Sequence, residues 1–227
     1  MERLDLSCLS VRELNQYLHH ELPKNGVDEL EIVNPNGLHS IAVGLTVPVR
    51  IRVLGHAGYY LAGMNQQANV TVQGNVGWSV AENMMSGTVR IEGFASECAG
   101  ASAHGGLLVI EGSASSRCGI SMKGVDIVVG EDVGHMSAFM AQAGNLVICG
   151  NAGASLGDSL YEAVLYVRGS IHSLGADARE ESMSENDYRT VGDLLGKAGI
   201  NYSSKEFKRV ASARTLYHWN AEAGQEY

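Results

Sequence analysis

The chain has 227 residues, with 28 glycines, 3 prolines and a formal net charge of −9. Abundant glycine with little proline fits many tight turns in an ordered chain, not disorder or a collagen-like repeat, and the acidic balance excludes a nucleic-acid partner, whose phosphates need a basic face. No apolar run approaches the ~20 residues that span a bilayer, and Met1-Glu2-Arg3-Leu4-Asp5 opens without the apolar core of a secretory signal, so a cytoplasmic protein with no membrane partner is expected.

Residues 1–29 form a first, helical segment. Ser10-Val11-Arg12-Glu13 reads as a capping box, with hydroxyl and carboxylate each taking a backbone amide at a helix start. Val11, Leu14, Leu18 and Leu22 then recur on one face, and Pro23, Asn25 and Gly26 end the helix. From Leu30 to Pro48 the chain reads as an imperfect first coil of the repeat that follows. Ile32 sits at an expected aliphatic position and Asn34 replaces the next one.

Residues 30–176 carry a 19-residue repeat. Stepping from Gly55 gives Gly74, Gly93, Gly112, Glu131, Gly150 and Gly169. Two residues before these anchors stand Val53, Val72, Ile91, Ile110, Val129, Ile148 and Val167. Four before stand Ile51, Val70, Val89, Leu108, Ile127, Leu146 and Leu165. Aliphatics at i and i+2 share one face of a strand, and the glycine two residues on suggests a turn with an unusual dihedral. Seven residues after the anchors come Ala62, Ala81, Gly100, Gly119, Ala138, Gly157 and Ala176, a column that predicts little room between coils. Ala68, Gly87, Gly106, Val125, Gly144 and Ala163 mark another corner. One such unit cannot bury its own apolar face, but stacked units form a continuous core. The spacing of 2 excludes a helical solenoid. The fold class predicted is an all-β solenoid, a parallel β-helix of 19-residue coils with an N-terminal helix and a C-terminal helical tail. Seven to eight coils at ~4.8 Å would make a column of ~35–40 Å.

Residues 177–227 are charged and helix-like. Tyr188, Val191, Leu194 and Leu195 give one helix from Asp187 to Lys197, ended by Gly199, and a second helix is expected from about Lys205 to Trp219. Lys205, Lys208, Arg209 and Arg214 then read as a solvated helix face. Tyr217-His218-Trp219 is too apolar for a free end and is expected to cap the solenoid or dock on a partner.

On the outer face, three residues before the anchors, Val109, Val128, Val147 and Tyr166 form an apolar ladder. Such a patch is normally covered, either by the C-terminal helices or by another subunit. Convergent polar groups at one offset, the mark of a catalytic centre, are not found. His56, His104, His135 and His172 fall at different offsets, and His19-His20 lacks a third ligand. Cys8, Cys98, Cys118 and Cys149 form no CxxC pair and fit neither a zinc nor an iron–sulfur site. Glu131 with Asp132 could do acid–base work, but with Gly130 adjacent a one-residue shift of the turn is the simpler reading. Neither a Rossmann fingerprint nor a P-loop occurs. No residue is assigned a catalytic, cofactor-binding or metal-ligating role.

The units Gly55-x-x-Gly58-x-x-x-Ala62, Gly74-x-x-Gly77-x-x-x-Ala81 and Gly150-x-x-Gly153-x-x-x-Gly157 resemble the GXXGXXXG repeat of the glutamate synthase C-terminal domain, or GXGXG, family over roughly residues 30–176. The resemblance implies a right-handed parallel β-helix that buttresses catalytic domains without catalytic residues of its own. Glu131-Asp-Val-Gly-His-Met-Ser-Ala-Phe-Met140, Gly157-Asp-Ser-Leu-Tyr-Glu162 and Ser212-Ala-Arg-Thr-Leu-Tyr-His218 look like the small GXGXG subunits of N-methylglutamate synthases. That likeness implies a non-catalytic scaffold partnered by a class II glutamine amidotransferase-like subunit and an FMN-binding glutamate synthase-like subunit. Cofactors, FMN with or without an iron–sulfur cluster, are expected on a partner and none on this chain. The repeat is shared by stand-alone GXGXG subunits of glutamate synthases and by a GXGXG-bearing subunit of formylmethanofuran dehydrogenases, which are the alternative readings.

Overall fold

A computed structural model describes residues 2–214. Nine strands stack in chain order, each paired in parallel with the next: β1 (Glu2–Asp5), β2 (Glu29–Val33), β3 (Arg50–Leu54), β4 (Asn69–Val72), β5 (Thr88–Ile91), β6 (Leu107–Ile110), β7 (Lys123–Val129), β8 (Ala143–Ile148) and β9 (Val164–Val167). The chain is a parallel β-solenoid. From β3 to β9 the register advances by one repeat per strand: Val53 lies beside Val72, Val72 beside Ile91, and so on to Ile148 beside Val167. Both inward aliphatic columns are buried throughout. Each fully buried Val, Ile or Leu contributes about 1.5–3 kcal/mol before chain entropy is set against it. A second line of parallel bridges, Ala57–Val76–Ala95–Ala114–Val133–Ala152–Ile171, closes another side of the column.

The anchor glycines are needed for close approach. Among them only Gly55 has a positive φ, +130°. A Cβ on Gly93 or Gly112 would meet the carbonyl oxygen of the preceding anchor at 2.8 or 2.9 Å, closer than real Cβ contacts allow. The same closeness lets the anchor amides from Gly93 onward donate to the anchor before, as from Gly93 to Gly74 at 3.1 Å and from Gly150 to Glu131 at 2.9 Å. The expected unusual turn dihedral falls instead on the Ala/Gly column. Ala62, Ala81, Gly100, Gly119, Ala138 and Gly157 all have φ between 52° and 69°. Residues two before and two after are also left-handed, as at Tyr60 and Met64 around Ala62. This alternation points successive amides to opposite neighbours: Tyr60 donates to Trp78 of the next coil, Ala62 to Ile41 of the previous one, and Met64 to Glu82 of the next.

The N-terminal segment contributes the first strand as well as a helix. Helix α1 (Val11–His20) starts at the expected capping box, with Ser10 Oγ accepting from Glu13 N at 3.2 Å. It lays Leu14 and Leu18 over the first coil's Leu30, Ile41 and Leu45. Pro23 falls inside a further short helix, α2 (Leu22–Asn25), capped by Gly26 in the left-handed conformation. The first coil is two residues longer than the rest: Leu30 pairs with Ile51 and Ile32 with Val53. Leu30 and Ile32 are therefore the two aliphatics, and Asn34 replaces neither; it turns the chain at φ 54° and donates to Asp5.

Beyond β9 the sheet changes direction. β10 (Ala178–Glu181) leads through α3 (Glu185–Ala198) and a 3-10 turn at Ser204–Glu206 to β11 (Lys208–Ser212), which inserts antiparallel between β9 and β10. The second helix expected from Lys205 is thus corrected to a turn and a strand as far as residue 212. The strand wins because it puts Val210 against Leu165, fully buried in the core. Arg209 and Arg214 are likewise not a solvated helix face: Arg209 pairs with Glu181 and Asp187, and Arg214 with Asp177. Tyr217, His218 and Trp219 lie outside the described residues.

Candidate interaction surface and polar groove

The predicted outer ladder is covered by the chain itself. Val109, Val128, Val147 and Tyr166 are at most 2% exposed. They pack with Val191, Leu194, Leu195 and Ala198 of α3 and with Phe207. Ser184 and Asp187 form the helix's capping box. Asp187 Oδ1 also accepts from Tyr166 Oη at 2.7 Å and from Arg209 Nε at 3.2 Å. Burial opposes the charge on Asp187, but hydrogen bonds from Ser184 and Tyr166 outweigh it and hold the carboxyl below the usual carboxylate range. Burial, then the bond to Asp187, pushes the Tyr166 phenol up. One carboxylate therefore joins helix, sheet and terminal strand.

A second row has no such cover among the described residues. His39, Tyr59 and Trp78 stack along the column, with ring centroids 4.3 and 5.4 Å apart and planes within 17°. Tyr59 and Trp78 are 40% and 49% exposed, and Tyr60 and Met64 beside them are equally open. A shallow cleft of about 200 Å³ lies against Tyr60 and Met64.

A third feature is a groove of about 630 Å³ between the C-terminal end of α3 and the solenoid wall. Arg90 spans it, donating to Glu111 Oε1 at 2.7 Å and to the carbonyls of Lys197 and Ala198 at 3.3 and 3.0 Å. It thereby satisfies the carbonyl end of α3. Glu131 projects from the wall, its Oε2 accepting from Ser113 Oγ at 2.8 Å. Lys197, Ile200 and Tyr202 complete the lining. Tyr202 is held from behind by the Arg168 guanidinium, 3.9 Å from its ring centroid, and Arg168 is in turn paired with Glu206.

No family model and no solved structure matches the chain. It is 52% identical over 228 residues to the protein named GlxC of Rhizobium meliloti (strain 1021), covering all of both chains. The chain belongs to the GlxC family.

In this GlxC-family chain His39, His56 and His135 bond across neighbouring coils. His56 Nδ1 accepts from Asn75 N at 2.9 Å, and Asn75 Oδ1 accepts from Phe94 N at 3.1 Å. Asp132 does the same for Asn151 N at 2.6 Å, and Asn151 for Ser170 N at 3.0 Å. His39 accepts from Tyr59 N, while His19 and His135 bond the carbonyls of Val43 and Ala154. Asp132 and Glu131 therefore do not act together, since one belongs to the ladder and the other faces the groove. The one-residue shift expected at Glu131 holds for the close-approach glycine and not for the pairing: a Cβ on Gly130 would run into Glu111 O, while the Glu131 amide still donates to Gly112 O at 3.2 Å and Val129 still pairs with Ile110. Cys118 and Cys149 are buried, which pushes their thiols up to about 12 and about 11 and makes them poor nucleophiles. Among the described residues no group of three or more His, Cys, Asp or Glu could hold a metal ion, and no helix is long and apolar enough to cross a membrane. Sequence reasoning missed the aromatic row and the groove. The first had a signal in Tyr59 and Trp78, one repeat apart. The second had two, the break in the glycine column at Glu131 and a glycine at 196 inside a helix.

Proposed function

We propose that this chain is the non-catalytic scaffold subunit of an N-methylglutamate synthase, which turns methylamine and L-glutamate into N-methylglutamate and ammonia. It would hold in register a class II glutamine amidotransferase-like subunit and an FMN-binding glutamate synthase-like subunit, with the cofactors on those partners. The observation that carries the reading is a column that spends its polar side chains on coil-to-coil hydrogen bonds while leaving a row of large aromatics in solvent. Exposed Tyr and Trp are the residues on which protein interfaces concentrate their energy. The amine chemistry rests on the GXGXG repeat and on the stretches 131–140, 157–162 and 212–218, which resemble those subunits.

The test is purification of the tagged full-length chain from its native extract, with mass spectrometry and a flavin absorption spectrum of what co-elutes. An FMN-bearing subunit and an amidotransferase-like subunit are expected, with methylamine-dependent formation of N-methylglutamate. Elution of the chain alone, or full turnover by the partners without it, would overturn the scaffold role. Replacing both Tyr59 and Trp78 by Ser should release at least one partner.

A further inference from the structure

At one anchor the repeat carries a glutamate, and the close approach to the coil before is made one residue earlier, where a Cβ on Gly130 would run into Glu111 O. A Cβ at the neighbouring anchors runs into the coil before, yet position 131 carries a glutamate and the 19-residue register continues through it. Its carboxylate enters the groove beside α3. Gly130, next to it, leaves the wall bare where the other coils carry Leu54, Gln73, Glu92, Glu111, Cys149 and Arg168. Across the groove stands Gly196, inside α3. A Cβ there would meet nothing within 4 Å, so no packing demands the glycine, and a glycine inside a helix weakens it. On the solenoid side the glycine is required by packing, on the helix side it is not, and the result is open space with a carboxylate on one side.

The charges around that space are not self-compensating. Arg90 and Glu111 neutralise each other at 2.7 Å. Among the described residues Glu131 is met only by a serine hydroxyl, and Lys197 has no ion-pair partner. Ile200 and Tyr202 supply an apolar flank. The volume, about 630 Å³, falls in the range of small-molecule sites.

We propose that this groove binds a small zwitterion, an α-amino acid by chemical class, with its ammonium on Glu131 and its carboxylate on Lys197. The inference stands apart from the scaffold reading, because it concerns the free chain and holds whichever partners assemble on it.

Calorimetric titration of the full-length chain with L-glutamate and with glycine tests it, alongside two one-pole probes, glutarate and methylamine. Two variants are informative because neither should harm the fold. Glu131→Gly restores the glycine of the repeat, and Gly196→Gln places a helix-favouring side chain in the open groove. Saturable binding of at least one of the two amino acids is expected. Each variant should weaken it at least about tenfold, the scale of one charge-assisted hydrogen bond, while still unfolding in one cooperative transition like the parent. Absence of binding at millimolar ligand would overturn the proposal. So would unchanged binding in Glu131→Gly, or equal affinity for glutarate or methylamine, since a zwitterion site needs both poles.

Discussion

The outer face of the solenoid carries two ladders built by the same 19-residue stacking, and they have opposite fates. Val109, Val128, Val147 and Tyr166 are buried under α3, while Tyr59 and Trp78, with His39 behind them, stay open to solvent. Stacking in register multiplies any outward side chain into a stripe, so each apolar choice becomes a surface several coils long. The chain supplies its own cover for the aliphatic stripe. Its aromatic stripe consists of rings that tolerate water at one edge and pack well against another protein.

The contrast can be tested by mutation, beginning where the effect is largest. Val147→Asp places a charge under α3 with no partner and should cost about 3 kcal/mol or more. Thermal unfolding, and faster proteolysis within residues 185–198, would register the loss; an unchanged melting point would mean α3 does not seal the stripe. Gly112→Ala brings a methyl to 2.9 Å from Gly93 O and should destabilise by about 1–3 kcal/mol through overpacking, read by denaturant unfolding. Asp187→Asn removes the charge that Tyr166, Ser184 and Arg209 share, with an expected loss of about 1.5 kcal/mol.

The same carboxylate sets a pH dependence. Because folding lowers the Asp187 pKa from its ordinary value of 3.8, its contribution is complete well above pH 3.8 and disappears as pH falls through that value toward the folded one. Hydrogen exchange of α3 should rise over that acid range in the parent and change less in Asp187→Asn. The smallest effect is expected at the open stripe. Trp78→Ala should alter the stability of the free chain by less than about 1 kcal/mol. A much larger loss would show that the stack is part of the fold and not a surface offered to others.

The legible part of this molecule was whatever stacking repeats. Columns such as Val53 to Val167 announce themselves because every coil must solve the same packing problem at the same offset. The non-repeating parts were harder. β1 is a strand of Glu2, Arg3, Leu4 and Asp5 whose pairing with β2 owes nothing to hydrophobic alternation. In the C-terminal segment, lysines and arginines favoured helix locally, yet Val210 and Ala211 join the sheet because an unpaired β9 edge offered more than propensity could. The longer first coil misled for a simpler reason: its two extra residues moved the aliphatic pair to Leu30 and Ile32. Of the groove, two signs were visible, Gly196 inside a helix and Glu131. Its neighbours Lys197 and Tyr202 come from beyond the repeat and meet it only once α3 is laid down.

The two ends of the sheet carry one more consequence. β1 and β10 are its edge strands, and both are rich in charge, with Glu2, Arg3 and Asp5 at one end and Arg179, Glu180 and Glu181 at the other. Charged edges discourage a further strand from adding, and the reversal of direction at β11 breaks the parallel pattern that a second copy would have to continue. The column is therefore a polymer stopped at a set length. Nine parallel strands at ~4.8 Å spacing fix a height of about 38 Å, so whatever sits along its flank is measured off against a ruler that cannot grow.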